Sequence, residues 1–224
     1  YSYPGIEYSN SLWGSMTRGN QFNYYLSPSV SSSYTNQWGD HFFKAMAGFQ
    51  MEVQQNSSMY AYKDGVMSDD TFSFDNANGK AYNSEARDHW ATMGFYTRLN
   101  WNYQNVYFLE FSGRYDGSSR FASGNRWGFF PSASVGWNIA REKFFLPVSK
   151  VVNTFKVRAS YGSLGNQNTS SLYPTYSTIG TGTGSWIIDG TLANIAWAPS
   201  LVSYNLSWEK IRTWNAGVDF GLFN

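Results

Sequence analysis

The sequence predicts an all-β chain that forms part of an antiparallel, up-and-down transmembrane β-barrel, and three observations predict it. Apolar residues recur at every second position over runs longer than the five or six or so residues of an ordinary strand. Aromatic residues make up 20% of the 224 and charged residues only 14%, a balance suited to rings that are dry at one end and wet at the other. The links between runs alternate between short and long, as periplasmic turns and extracellular loops do in outer-membrane barrels.

The clearest stretch runs from Val106 to Arg141. Its second half sets Trp127, Phe129, Pro131, Ala133, Val135, Trp137 and Ile139 on one parity, against Gly128, Ser132, Ser134, Gly136 and Asn138, with Phe130 the exception. Its first half sets Tyr107, Leu109, Phe111 and Tyr115 against Glu110, Ser112, Arg114 and Asp116. Trp127 and Trp137 stand ten residues apart on one face. That is about 33 Å along a strand. At a tilt of about 40° it projects to about 25 Å, the height of the apolar band between two aromatic girdles. Proline cannot donate to a ladder, so a bulge or local widening is expected at Pro131, near the outer rim, and the same question arises at Pro28.

Taken from the start, the first twenty residues are rich in Tyr, Ser, Gly and Asn, with a short strand expected around 12–17. From Gln21 the alternation is firm: Phe22, Tyr24, Leu26, Pro28, Val30 and Tyr34 face one way. After a turn at 36–40, His41, Phe43, Ala45, Ala47, Phe49, Met51 and Val53 form a second apolar set. Residues 54–88 are mainly polar and read as a long loop. Ala91, Met93, Phe95, Leu99, Trp101 and Tyr103 follow, then a tight turn at Gln104 and Asn105. Residues 117–126 make a loop, and 141–153 leave room for a helical turn. Phe155, Val157, Ala159 and Tyr161 alternate with Lys156, Arg158 and Ser160. A second long loop is expected over 165–205, before the last run around Trp208, Trp214, Ala216, Val218 and Phe220. This makes about seven or eight strands. Seven cannot close a bacterial single-chain barrel, which has an even number, so the expectation is that 1–224 is part of one larger barrel domain.

Composition narrows the functional classes. A net charge of +1 gives no global field for nucleic acid. With no cysteine, disulfides, thiolate nucleophiles and zinc–thiolate sites are excluded. YSYPGIEYSN has no basic segment leading into an apolar one, so no signal peptide is expected within it. No apolar run approaches the length of a transmembrane helix, which leaves spanning strands untouched.

Four runs, GRYDGSSRF (113–121), NRWGFFPSASVGW (125–137), VRASYGSLGNQ (157–167) and WEKIRTWNAGVDFGLFN (208–224), resemble the SusC/RagA-like family of TonB-dependent outer-membrane transporters of Bacteroidetes. HFFKAMAGFQ (41–50) adds a weaker match, and the resemblance covers about 38–224. It implies a barrel of about 22 strands. It also implies an N-terminal plug and a TonB-binding segment, neither of which is expected in this chain. A SusD-like surface lipoprotein would close the extracellular mouth, and glycan oligomers or peptides would be imported at the expense of the proton gradient reached through TonB.

Candidate site residues fall into three groups. Glu110, Arg114, Asp116, Lys156 and Arg158 share the polar, lumen-facing parity, where they would brace the barrel or meet the plug. Trp101, Tyr107, Trp127, Trp137 and Trp208 are expected at the membrane girdles, against lipid. Tyr60, Tyr62, Phe72 and Phe74 in the first long loop, with Tyr173, Tyr176, Trp186 and Trp197 in the second, are candidates for sugar stacking or contact with the lid lipoprotein. No catalytic residue, metal site or cofactor is expected: His41 and His89 lack partners at ligand spacing, and Gly180, Gly182 and Gly184 lack the Lys-Ser/Thr of a phosphate loop. Two competing classes are a soluble aromatic-rich β-sheet carbohydrate-binding module and a glycan hydrolase using the lumen carboxylates.

Overall fold

In a computed structural model, residues 14–67, 73–148 and 151–222 are described. Ten strands account for most of them: β1 (Gly14–Leu26), β2 (Ser29–Trp38), β3 (His41–Val66), β4 (Ala81–Tyr103), β5 (Tyr107–Ser118), β6 (Trp127–Asn138), β7 (Val152–Asn166), β8 (Thr181–Ile188), β9 (Thr191–Ala196) and β10 (Glu209–Leu222). The chain divides into two compact units.

The larger unit holds 27–52 and 91–224. In it β2, β3, β4, β5, β6, β7 and β10 lie side by side in that order, and the ladders resolved within it are antiparallel. The register turns the alternation of each strand into rows across the sheet. One row is Leu99–Phe111–Ala133–Tyr161–Trp214, and the next toward the short turns is Trp101–Leu109–Val135–Ala159–Ala216. The intervening positions give Asn100–Glu110–Ser134–Ser160–Asn215. One face is therefore apolar and the other polar over five consecutive strands. Each opposed apolar pair adds about 0.2–1 kcal/mol, so the rows also hold the register. A slip of one residue would exchange the two faces.

Short turns join the strands at one end. Trp38 opposes His41 across a two-residue turn in which Gly39 has φ 57°. Gln104 and Asn105 take φ 50° and 55° between the paired Tyr103 and Tyr107. The link from β6 to β7 contains two short 3-10 turns, Ile139–Arg141 and Lys143–Phe145, as the sequence anticipates.

The smaller unit holds residues up to Leu26 together with 53–90. Here β1 pairs with β3 from Leu26↔Val53 to Gly14↔Val66. A 3-10 turn, Phe74–Asn76, follows Ser73, whose hydroxyl accepts from the Asp75 N–H.

Several expectations need correction. Residues 54–88 are not one long loop: β3 continues to Val66 and β4 begins at Ala81. Gln54, Gln55, Asn56, Ser57 and Ser58 put polar groups on both faces, so period-two alternation vanishes although the strand does not. The 165–205 segment contains the β8–β9 hairpin, closed by Asp189 (φ 50°) and Gly190 (φ 77°). An Asp-Gly pair is a strong hairpin signal. The strand expected at 12–17 is the start of β1, with its first two residues outside the described ones.

Neither proline sits in a bulge. Two residues separate the β1–β3 and β2–β3 ladders on each strand, and Pro28 keeps its carbonyl in use, accepting from Met51 N–H at 3.0 Å. Pro131 stays in register opposite Gly113, but the β6–β7 ladder stops at Ser132↔Gly162, one residue short of it. A missing N–H ends a ladder without shifting it.

Candidate functional site

The polar face carries the charged candidates, and it holds them in separate local pairs. Arg114, on β5, donates through Nε and Nη2 to both oxygens of Asp116 at 3.1 and 3.0 Å. Its guanidinium also lies 5.6 Å from the ring centre of Tyr96, its cross-strand partner on β4. Two glycines make room. A Cβ on Gly48 would stand 2.4 Å from the Tyr96 ring, and one on Gly94 would stand 1.9 Å from an Asp116 oxygen. Tyr96, Arg114 and Asp116 thus lie flat across neighbouring strands, with the guanidinium locked in orientation.

Glu110 does not join them; it faces Arg98 at 3.8 Å. Arg158 pairs with Asp219 at 3.2 Å, and Lys156 sits 4.3 Å from the Phe108 ring centre. Arg98 and Asp219 were legible by parity but not by partner, since pairing needs the register. Glu110 and Asp116, both on the polar face, are too far apart to serve as a hydrolase pair. They lie six residues apart on one strand, about 20 Å. Glycosidase carboxyls stand about 5–9.5 Å apart. Among the described residues no three His, Asp or Glu side chains gather as a metal site.

On the apolar face, aromatics gather near the two ends of the strands. Near the short turns, His41 lies against Trp101 and Tyr103, and Tyr107 stacks between Tyr103 and Trp137. Glu142 accepts from the Tyr107 hydroxyl at 2.5 Å and from the Trp137 indole at 3.1 Å, so the rings lie on the apolar face while their tips find polar partners. At the other end Trp127 stacks on Tyr115 at 4.8 Å. Trp208 does not belong to this set. It packs against Phe121 and Phe130, and its indole donates to the Arg126 carbonyl at 2.7 Å. Trp208 precedes β10, so parity counted back from Trp214 does not govern it.

Phe130, the exception to the alternation, is buried. Its ring comes within 2.4 Å of where a Gly128 Cβ would stand and 2.2 Å of where a Gly165 Cβ would stand. It fills the place where the β6–β7 ladder has ended.

Within each unit the described loop aromatics make separate local contacts. Tyr60 and Tyr62 belong to β3 rather than a loop, and Phe72 lies outside the described residues. Tyr62 donates to the Asp64 carboxylate, which raises the phenol above its ordinary value of 10.0. Phe74 sits in the 3-10 turn with Arg18 6.0 Å from its ring centre. In the larger unit Tyr173 and Tyr176 meet edge to face, and the Tyr173 hydroxyl reaches Ser119. Trp197 lies over Gly180 and Gly182, which accounts for two glycines of the GTGTG run; a Cβ on Gly182 would be 2.5 Å from the indole. Trp186, on β8, is exposed.

An antiparallel sheet with one apolar face, one polar face and aromatic clusters near both strand ends is the wall of a β-barrel that is not closed within this segment. The sequence matches the family described as TonB dependent receptor-like, beta-barrel, over residues 1–224, and the chain belongs to that family. It is 30% identical over 226 residues to the TonB-dependent receptor SusC of Bacteroides thetaiotaomicron, covering 97% of this chain and 21% of that protein. The fold resembles the RagAB peptide transporter with a TM-score of 0.83 at 21% identity, covering 96% of this chain and 24% of that one. The RagAB peptide importer in its 'open-open' state gives 0.81 at 22% identity, with 99% and 24% covered. This chain thus spans about a fifth of SusC and a quarter of those solved chains.

Proposed function

We propose that the chain forms barrel wall and extracellular loops of a TonB-dependent importer of large nutrients, oligosaccharides or peptides, in a bacterial outer membrane. The observation that carries this is the pair of aromatic clusters around Trp127 and Trp137, ten residues apart along β6 and bounding an apolar face. In this reading the apolar face meets lipid, and Trp101, Tyr107, Trp127 and Trp137 stand at its two margins. The polar face lines the lumen, where the charge pairs of Arg98, Arg114 and Arg158 brace the wall or meet a plug supplied by the rest of the polypeptide. The turns at 39–40 and 104–106 and the 3-10 turns at 139–145 face the periplasm, and the link 167–208 reaches outward. TonB would act through the rest of the polypeptide.

The β8–β9 hairpin is the favoured contact for a SusD-like lid lipoprotein. Trp186, Ile187, Ile188 and Leu192 are all more than half exposed at its tip, and a two-stranded hairpin is marginal alone in water. Aromatic and aliphatic anchors of this kind suit a partner interface. The soluble-module alternative is disfavoured by the family membership, and the relatives named above are receptors and transporters rather than enzymes.

Two measurements test the proposal. The full-length protein should fractionate with outer membranes and need detergent for extraction; a water-soluble monomer would end the barrel reading. Deleting 173–197 should weaken co-purification of the lid lipoprotein, and unchanged recovery would remove that role from the hairpin.

A further inference from the structure

The larger unit contains a recess on its polar face that the charge pairs alone do not explain. Gln50, Glu52, Arg114, Asp116, Gln167 and Trp208 border it, and it encloses about 170 Å³. That is well below the ~300 Å³ at which sites for drug-sized ligands begin. It has room for one small polar unit of a larger molecule.

Its lining is unevenly satisfied. The Oε1 atom of Gln167 is buried and has no hydrogen-bond partner among the described residues. A buried orphan acceptor costs about 1–3 kcal/mol until a donor arrives. Glu52 accepts from the Gln50 amide at 3.2 Å and lies within electrostatic reach of the Arg114 guanidinium, without a salt bridge to it among the described residues. Arg114 spends Nε and Nη2 on Asp116, which leaves its Nη1 group uncommitted among the described residues. Tyr96 and the Gly48 and Gly94 clearances described above hold that guanidinium in one plane. The recess therefore offers acceptors and an oriented donor side by side, with the Trp208 indole at its border.

We infer that this recess binds one sugar residue of an oligosaccharide, an inference that rests on the importer reading above. A hydroxyl both donates and accepts, so neighbouring hydroxyls on one ring can satisfy Gln167 and Glu52 while accepting from Arg114. An ammonium group brings donors only and would approach the Arg114 cation. A carboxylate would meet Glu52 and Asp116. Peptide units offer one donor and one acceptor each, which leaves part of the lining unpaired.

The test uses the full-length protein with its partner lipoprotein in detergent. It is titrated with an array of neutral oligosaccharides and, separately, with a mixture of Lys- and Arg-containing oligopeptides. Unaltered protein should bind at least one neutral oligosaccharide. Gln167→Met and Glu52→Gln should each weaken that binding tenfold or more, with heat-modifiable gel migration unchanged as the sign of a folded barrel. Should either variant fail to fold, Gln50→Ala supplies the same comparison. Oligosaccharide binding that is unaltered in folded variants overturns the recess and leaves the importer standing. Basic peptides that bind in a Glu52-dependent manner overturn the sugar assignment. Binding and uptake of neither class would defeat the importer reading itself.

Discussion

Substituting arginine at two adjacent positions of β6 separates the two faces. Ala133 lies on the apolar face between Phe111 and Tyr161, whereas Ser134 lies on the polar face between Glu110 and Ser160. Ala133 is four residues from Trp137, about 13 Å along the strand. At a tilt of about 40° that is about 10 Å below the nearer aromatic margin, close to the middle of a band about 25 Å tall. Arginine facing lipid at that depth costs about 2–4 kcal/mol. Val135 is only two residues from Trp137 and faces the same way, so Val135→Arg should cost about 1–2 kcal/mol. Ser134→Arg instead enters the lumen beside Glu110, and its cost should stay below about 0.5 kcal/mol. The assay is urea unfolding of the full-length barrel reconstituted in vesicles, followed by tryptophan fluorescence. The expected order of cost is Ala133→Arg, then Val135→Arg, then Ser134→Arg. Equal losses at 133 and 134 would refute the facing, and a larger loss at 135 than at 133 would misplace the midplane.

Three further outcomes follow from close geometry. Gly94→Ala should turn the Asp116 carboxylate off Arg114 and cost about 1 kcal/mol, read as a lower unfolding midpoint; a crystal structure with the pair intact would contradict this. Gly190→Val places a β-branched residue at φ 77°, a strain of about 1–2 kcal/mol that should hasten limited proteolysis within 181–196 without changing cleavage elsewhere. Trp208→Phe keeps a ring beside Phe121 and Phe130 but deletes the 2.7 Å bond to the Arg126 carbonyl. About 1 kcal/mol should be lost, seen as faster amide exchange in 119–126; unchanged exchange would mean that the bond contributes nothing.

How much was legible followed from how many faces a strand has in one environment. Where one side of the sheet is apolar and the other polar, as at 127–138, alternation alone placed the strand and separated its two faces. Along the second half of β3, where Gln54 to Ser58 put polar groups on both sides, the same rule reported a loop. The β8–β9 hairpin was missed because glycine and threonine dilute its pattern, although Asp189-Gly190 carried the turn chemistry. Both prolines correctly marked irregular points, yet a bulge was the wrong consequence: proline removes one donor and does not add a residue. The charged positions share the polar parity that alternation assigns them, but alternation does not say which of them pair. Arg98 and Asp219 take partners on neighbouring strands, and only the register reveals which residues stand opposite.

The uncovered apolar face has a consequence for how such a molecule is made. Met16, Ala77, Val106, Phe121, Phe130 and Ile139 are the buried hydrophobic residues among those described, while Phe111, Phe129, Val135, Trp214 and many others are exposed. An ordinary domain is drawn together in water by hiding such groups from it, at about 25 cal/mol per Å². In the membrane reading proposed above, that driving force acts only once lipid supplies the apolar surroundings, and before insertion the apolar face would stand uncovered in water. Full-length protein diluted from urea into plain buffer should precipitate, and the same dilution into lipid vesicles should give folded barrel. A clear, monodisperse solution without lipid would show that the chain has some other way of covering that surface.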